Sequence, residues 1–191
     1  MIADEDLVRE WQRGSAGALE ALVQRYHAPL LTYLSRLTGD SQAAEDLAQE
    51  TFVQLVREAH TYHYPRPFKP WFYTIARHLA RNHGHSAYQR HEEVSTAAAT
   101  VDRPSGDPNP AEWLERLERR QGFWALLATL SFEQRDTLSL RFDQQLSVAE
   151  TAVVLGVPEG TVKSRVFTAL RLLRERLQAA TETTKREDVH D

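Results

Sequence analysis

The chain contains no cysteine, no apolar run near the ~18 residues a membrane-spanning helix needs, and no period-two alternation that reads as a strand. The missing cysteine removes disulfides, thiolate metal ligands, cysteine-containing zinc fingers and cysteine nucleophiles together. The stretch from Met1 to Glu10 is acidic, not a basic segment leading into an apolar one, so it does not read as a secretory leader. A soluble, cytoplasmic chain without membrane insertion is the expectation. There is no phosphate-cradling loop, no internal repeat and no nucleophile–base pair, so neither a catalytic residue nor a cofactor is expected. What remains is 191 residues with 41% hydrophobic content, enough for one ordinary domain or two small ones.

Acidic charge is also missing from one long window. The formal net charge is −4, which taken as a sum counts against a nucleic-acid binder, but the distribution is uneven. From Ala59 to His91 there is no Asp or Glu, while Arg66, Lys69, Arg77, Arg81 and Arg90 fall there with six of the eight histidines. Seven of the 17 aromatic residues share the window, among them Tyr62, Tyr64, Phe68 and Trp71. Cations interleaved with aromatics suit a surface that tracks a strand and stacks its bases. The first 58 residues, by contrast, hold ten acids and five bases.

The periodicity is helical almost throughout, so an all-α fold is expected. Leu19, Leu22, Val23, Tyr26, Leu30, Leu34 and Leu37 recur at steps of three and four within Ala18 to Leu37, where Pro29 must bend or split the helix. Gly39-Asp40-Ser41 ends it and offers an N-cap to a second helix, striped by Ala44, Leu47, Ala48, Thr51, Phe52, Leu55 and Val56. Three prolines between Tyr64 and Pro70 impose a loop, after which a third helix runs from Trp71 to about Asn82, with Gly84 a weak point. Residues 92–110 have nothing to bury and read as a linker of at most about 63–68 Å. Helix resumes at Ala111 and continues to about Leu130. The expected organisation is a domain over 1–91, the linker 92–110, a second domain over 111–178 and a disordered tail over 179–191.

Ser131-Phe132-Glu133-Gln134 and Ser147-Val148-Ala149-Glu150 both fit the capping box and start short helices. The second helix stops at Gly156-Val157-Pro158, and a longer one opens with Gly160-Thr161-Val162-Lys163-Ser164-Arg165, a helix-turn-helix pattern. Val162, Val166, Ala169, Leu170, Leu173 and Leu177 form its expected inward stripe. Thr161, Lys163, Ser164, Arg165, Thr168 and Arg171 are left on other faces, with the chemistry to contact base edges or phosphates. A plain helical hairpin with a solvated charged face stays open as the alternative.

Three segments in order carry a resemblance: Asp40 with Ala43-Ala44-Glu45-Asp46-Leu47-Ala48-Gln49-Glu50-Thr51-Phe52, then Trp71-Phe72-Tyr73-Thr74-Ile75-Ala76-Arg77, then Val153 through Arg165. Together they resemble the bacterial extracytoplasmic-function (ECF) sigma factors of RNA polymerase. The resemblance implies two small helical domains, sigma-2-like and sigma-4-like, joined by a flexible linker. It implies core RNA polymerase as partner, with Asp46, Gln49 and Glu50 on the β′ clamp helices and further contact to the β subunit. It implies promoter DNA, opened and held at the −10 element by Tyr62, Tyr64, Arg66, Lys69, Trp71, Arg77, Arg81 and Arg90, although Trp71, with Phe72 and Ile75, is more often a core position in such a helix. The −35 element would fall to Thr161, Lys163, Ser164, Arg165, Thr168 and Arg171. An anti-sigma factor is a further implied partner, and nucleoid association in holoenzyme is implied with it. The chain departs from the family at Arg77-His78 and Asn82, where Arg-Asn and a later Asp are usual.

Two other readings compete. A stand-alone helix-turn-helix regulator would bind its operator without polymerase. A metalloprotein would use His60, His63, His78, His83, His85 and His91, but no carboxylate lies in that cluster and the residues straddle the proline-rich loop.

Overall fold

A computed structural model of the chain describes residues 2–91 and 124–187, and among these every regular element is helical. Four helices form the N-terminal half: α1 (Asp4–Gln12), α2 (Ala16–Thr38), α3 (Ser41–Glu58) and α4 (Phe68–His91). After a short helical stretch at 124–128, the C-terminal half holds α5 (Phe132–Leu138), a π-helical turn (Ser139–Asp143), α6 (Val148–Leu155) and α7 (Glu159–Glu187). The segment 92–123, which contains the expected linker and the start of the expected helix from Ala111, lies outside the described residues, as does 188–191.

The local signals in the sequence set the helix ends. α2 runs unbroken through Pro29 and stops at Gly39, whose φ of +72° is the left-handed conformation that glycine adopts without strain. Asp40 then caps α3, its Oδ1 accepting from Gln42 N at 2.8 Å and Ala43 N at 3.2 Å. Both capping boxes form, Ser131 with Gln134 and Ser147 with Glu150. Gly156, at φ +65°, makes the turn between α6 and α7.

Three boundaries differ from expectation. α1 has no counterpart in the sequence reading, yet Leu7 and Val8 are buried and its polar residues tie down the loop before α4. Gln12 Nε2 donates to Ala59 O at 2.7 Å and Tyr62 O at 3.0 Å, while Glu5 Oε1 accepts from Phe68 N at 2.9 Å and so satisfies a free donor of α4's first turn. α4 starts three residues before Trp71 and continues through Gly84 to His91, with Pro70 in its first turn, where a missing N–H costs nothing. α7 reaches Glu187, so helix replaces most of the expected disordered tail.

The N-terminal core is aromatic. Tyr26 sits edge-on to Phe68 and Phe72, with centroids 5.1 Å away in each case, and Phe68 stacks on Phe72 at 5.5 Å. Leu140, Leu146, Val154, Leu155 and Val162 of the C-terminal half join the same buried cluster. Instead of standing apart, the two halves pack together: α2 against α5 and the π-helical turn, α4 against α6. A smaller cluster of Leu127, Leu130, Leu138 and Ala169 closes the C-terminal half on itself.

Candidate nucleic-acid interface

α3 divides cleanly into two faces. Ala43, Ala44, Leu47, Ala48, Thr51 and Leu55 point into the bundle, and Thr51 Oγ1 satisfies itself on Leu47 O at 2.7 Å. Asp46, Gln49 and Glu50 are all exposed on the opposite side, one turn apart. Val56, expected in the inward stripe, is 50% exposed, and Val53 is 43% exposed. Val56 lies one residue, or about 100° of helix, past Leu55, which rotates it out of the core. The acidic face therefore continues into an apolar patch that the sequence reading did not find.

The acid-free window sorts differently from its sequence appearance. Tyr62 and Trp71, assigned to DNA by the resemblance, are core residues at 3% and 8% exposure. Their rings meet at 5.1 Å, and Tyr62 Oη donates to Arg66 O. Phe68, Trp71, Phe72, Ile75 and Ala76 follow a three–four spacing, which puts them on one buried helix face. Of the aromatics, Tyr64 does face solvent, 47% exposed, with the Arg9 guanidinium 4.5 Å from its ring centroid. Arg66 and Arg81 are exposed, and Lys69 is half-buried with Nζ 3.5 Å from Gln144 O. Arg90 lies on α4, in the part of the helix whose side chains are not described.

Arg77 is the largest departure. It is 8% exposed, and its Nε donates to Asp136 Oδ2 of α5 at 2.7 Å. Tyr33 of α2 donates to Asp136 Oδ1 at 2.8 Å, and both of these residues are fully buried. Burial pushes the Asp136 carboxyl above the ordinary carboxylate range, while the bonds from Arg77 and Tyr33 oppose that shift. Beside this bridge, Gln144 accepts from Tyr73 Oη and donates from Nε2 to Pro29 O at 3.1 Å, and Arg36 pairs with Asp143 at 2.8 Å. An arginine expected to hold a phosphate thus holds a carboxylate from the other half of the chain.

At the helix-turn-helix, Lys163, Ser164 and Arg171 are exposed, whereas Thr161, Arg165 and Thr168 are half-buried. Ser164 Oγ is taken up by Thr161 O at 3.0 Å, and Arg171 lies 4.0 Å from Glu175. Arg165 has one guanidinium nitrogen, Nη1, buried without a hydrogen-bond partner among the described residues. Its charge acts back on Glu133 and Asp136 of α5. Leu170, expected inward, is 47% exposed, and Phe167 next to the reading face is 70% exposed.

Comparison with known sequences places both halves in one family. The models of sigma-70 region 2 and of sigma-70 region 4 match residues 22–87 and 126–175. The RNA polymerase sigma-H factor of Pseudomonas aeruginosa is 30% identical over 92% of this chain and 94% of its own length. The chain belongs to the ECF sigma factors. The ECF sigma factor BldN of Streptomyces coelicolor is 33% identical over 88% of this chain, which spans 63% of that longer relative. Among solved structures, CnrH, determined in complex with the cytosolic domain of CnrY, shares the fold with a TM-score of 0.72 at 23% identity, covering 93% of this chain and 99% of that one.

Within this sigma factor the side chains of His85 and His91 lie outside the described residues. His60 and His63 turn their Nδ1 atoms to Arg57 O at 3.0 Å and Thr61 O at 2.8 Å, and no group of three or more possible metal ligands occurs among the described residues. No helix there is long and apolar enough to cross a membrane.

Proposed function

We propose that this sigma factor docks on core RNA polymerase through the α3 face of Asp46, Gln49 and Glu50, extended by Val53 and Val56. The observation that carries this reading is the division of α3: one side is fully committed to the core, while the other leaves three polar residues and two valines in water. A helix with no need of that face for folding has it free for a partner. Tyr64, Arg66, Lys69 and Arg81 contact −10 DNA from the rim of the α3–α4 loop and α4, with Arg90 further along the same helix. Tyr62 and Trp71 support that loop from beneath. Lys163, Ser164 and Arg171, with Thr161, Arg165 and Thr168 at the margin, read or hold −35 DNA.

In this reading residues 1–91 serve polymerase and the −10 element, 92–110 lie in the polymerase cleft, and 111–178 serve the −35 element. The chain supplies no catalytic group, the phosphodiester chemistry being that of the polymerase. It acts in the cytoplasm, and an anti-sigma factor is its expected second partner. Run-off transcription with core polymerase on fragmented genomic DNA tests the proposal, with discrete transcripts that depend on the added chain as the expected result. Tight sequence-specific binding by the chain alone, with no transcripts from core, replaces it with a stand-alone regulator.

A further inference from the structure

The loop that carries Tyr64 and Arg66 is exposed from His63 to Pro67, and one element, α1, anchors it at both ends. Gln12 Nε2 donates to Ala59 O and Tyr62 O where the chain leaves α3, and Glu5 Oε1 accepts from Phe68 N where it enters α4. Between these anchors the Arg9 guanidinium lies over the Tyr64 ring, 4.5 Å from its centroid, and itself donates to Asp6 Oδ1 at 2.9 Å. Glu5, Arg9 and Gln12 follow steps of four and three, so a single face of α1 presents all three to the loop. Apart from bonds inside the loop and to the last turn of α3, the side-chain hydrogen bonds that reach 59–68 among the described residues come from α1. α1 is in turn fixed on α2, with Leu7 and Val8 buried and Asp4 accepting from Arg25 and Tyr26. The region 2 match begins at residue 22 and leaves this helix outside it.

We propose that α1 sets the −10 preference of this sigma factor without reading DNA itself: Glu5 and Gln12 fix the span of the loop, and Arg9 covers one face of Tyr64 so that the other is presented to a single extruded base. The base contact rests on the assignment of Tyr64 under Proposed function, whereas the anchoring by α1 does not. A tyrosine on an exposed loop has rotamer freedom that stacking must remove. A guanidinium already seated on the ring removes part of that freedom beforehand and leaves the opposite face for the base. Stacking by itself accepts any base, so discrimination depends on where the ring and the loop backbone are held. Arg9, Glu5 and Gln12 are thus positioning residues, acting through Tyr64 and the loop.

The test is transcription by core polymerase with the full chain on a promoter that the chain uses, from one barcoded library randomised at the −10 element and a second randomised at the −35 element. Tyr64→Ala is expected to flatten the −10 preference. Arg9→Ala and Gln12→Ala are expected to flatten it by about two- to fivefold, the share that an exposed cation–π contact or a hydrogen bond carries, while the −35 preference and the affinity for core stay at parental values. Arg9→Lys, which keeps a cation over the ring, restores most of the loss, and Arg9→Ala adds nothing in a Tyr64→Ala background. Parental −10 preference in either Arg9→Ala or Gln12→Ala overturns the proposal. So does a parallel loss of −35 preference, or a further loss from Arg9→Ala once the Tyr64 ring is gone, since either makes α1 merely structural. Failure of the underlying reading is distinct: parental preference in Tyr64→Ala removes the base contact, absence of transcripts from every template removes the sigma assignment, and either takes the proposal with it.

Discussion

Tyr33→Phe deletes a single oxygen whose hydrogen bond joins α2 to α5. The bond to Asp136 Oδ1 is 2.8 Å long and both partners are 0% exposed, so no water replaces the lost hydroxyl while the halves stay together. Hydrogen bonds to charged groups contribute roughly 1.5–3 kcal/mol, and at complete burial the loss should fall within that range. Once the halves separate on unfolding the same hydroxyl meets water, so the substitution costs that state almost nothing. The deficit therefore belongs to the folded state. For a chain of this size about 1 kcal/mol moves Tm by about 2–4 °C, which predicts a fall of roughly 3–12 °C if the two halves unfold together. Urea unfolding of the parent, Tyr33→Phe, Asp136→Ala and the double variant measures it. In the Asp136→Ala background Tyr33→Phe should cost less than about 0.5 kcal/mol, because its acceptor is gone. An equal cost in both backgrounds, or none in the parent, would refute the bridge.

Gly156→Ala forces a side chain into the left-handed turn between α6 and α7, where φ is +65° and a Cβ meets no atom within 4 Å, so the cost is conformational alone. Calorimetry should show a loss of about 1–2 kcal/mol, and an unchanged Tm would contradict the strained-turn account. Val53→Lys on α3 should leave Tm nearly unchanged at this half-exposed position but weaken core polymerase binding about tenfold by fluorescence titration; unaltered affinity would remove Val53 from the docking face. Burial raises the phenol pKa of Tyr26, Tyr33, Tyr62 and Tyr73, that of Tyr62 to about 12. Groups with a raised folded pKa contribute stability that is complete below the unfolded value of about 10 and is lost as pH rises past it. Tyrosinate absorbance from these four should thus appear together with loss of helical circular dichroism above about pH 10, and ionisation with the helices intact would count against their burial.

The features that were legible in the sequence are those specified within a few residues. Asp40, Ser131 with Gln134, Ser147 with Glu150, and Gly156 each act on their own turn of backbone, and all four are realised. α1 escaped notice because nine residues with three acids in the first turn present too short an apolar stripe, although Leu7, Val8 and Trp11 hold the helix spacing. In the aromatic window Trp71, Phe72 and Ile75 are core, as their helical spacing allows, whereas Tyr62 was expected at the surface and is buried. The window's composition suits DNA stacking, but its spacing is that of a buried helix face, and spacing decides where a ring points. Tyr64, Arg66 and Arg81 do stay exposed, Tyr64 with Arg9 of α1 against its ring. The seam between the halves had no local signature, since Arg77 and Asp136 lie 59 positions apart and neither sits in an unusual context.

That seam also explains why charge carries two meanings in this chain. Replacing a buried ion pair by well-packed apolar groups is often neutral or stabilising, so the Arg77–Asp136 bridge is a poor device for stability alone. Removing one member of such a pair is costly, because the other is left charged and dry. The bridge therefore specifies its partner more than it tightens the interface. Wrong partners leave Asp136 unpaired. Leu140, Leu146, Val154, Leu155 and Val162 lie in the same buried cluster as the N-terminal core, so apolar contact supplies the seam's burial and the Arg77–Asp136 bridge its register.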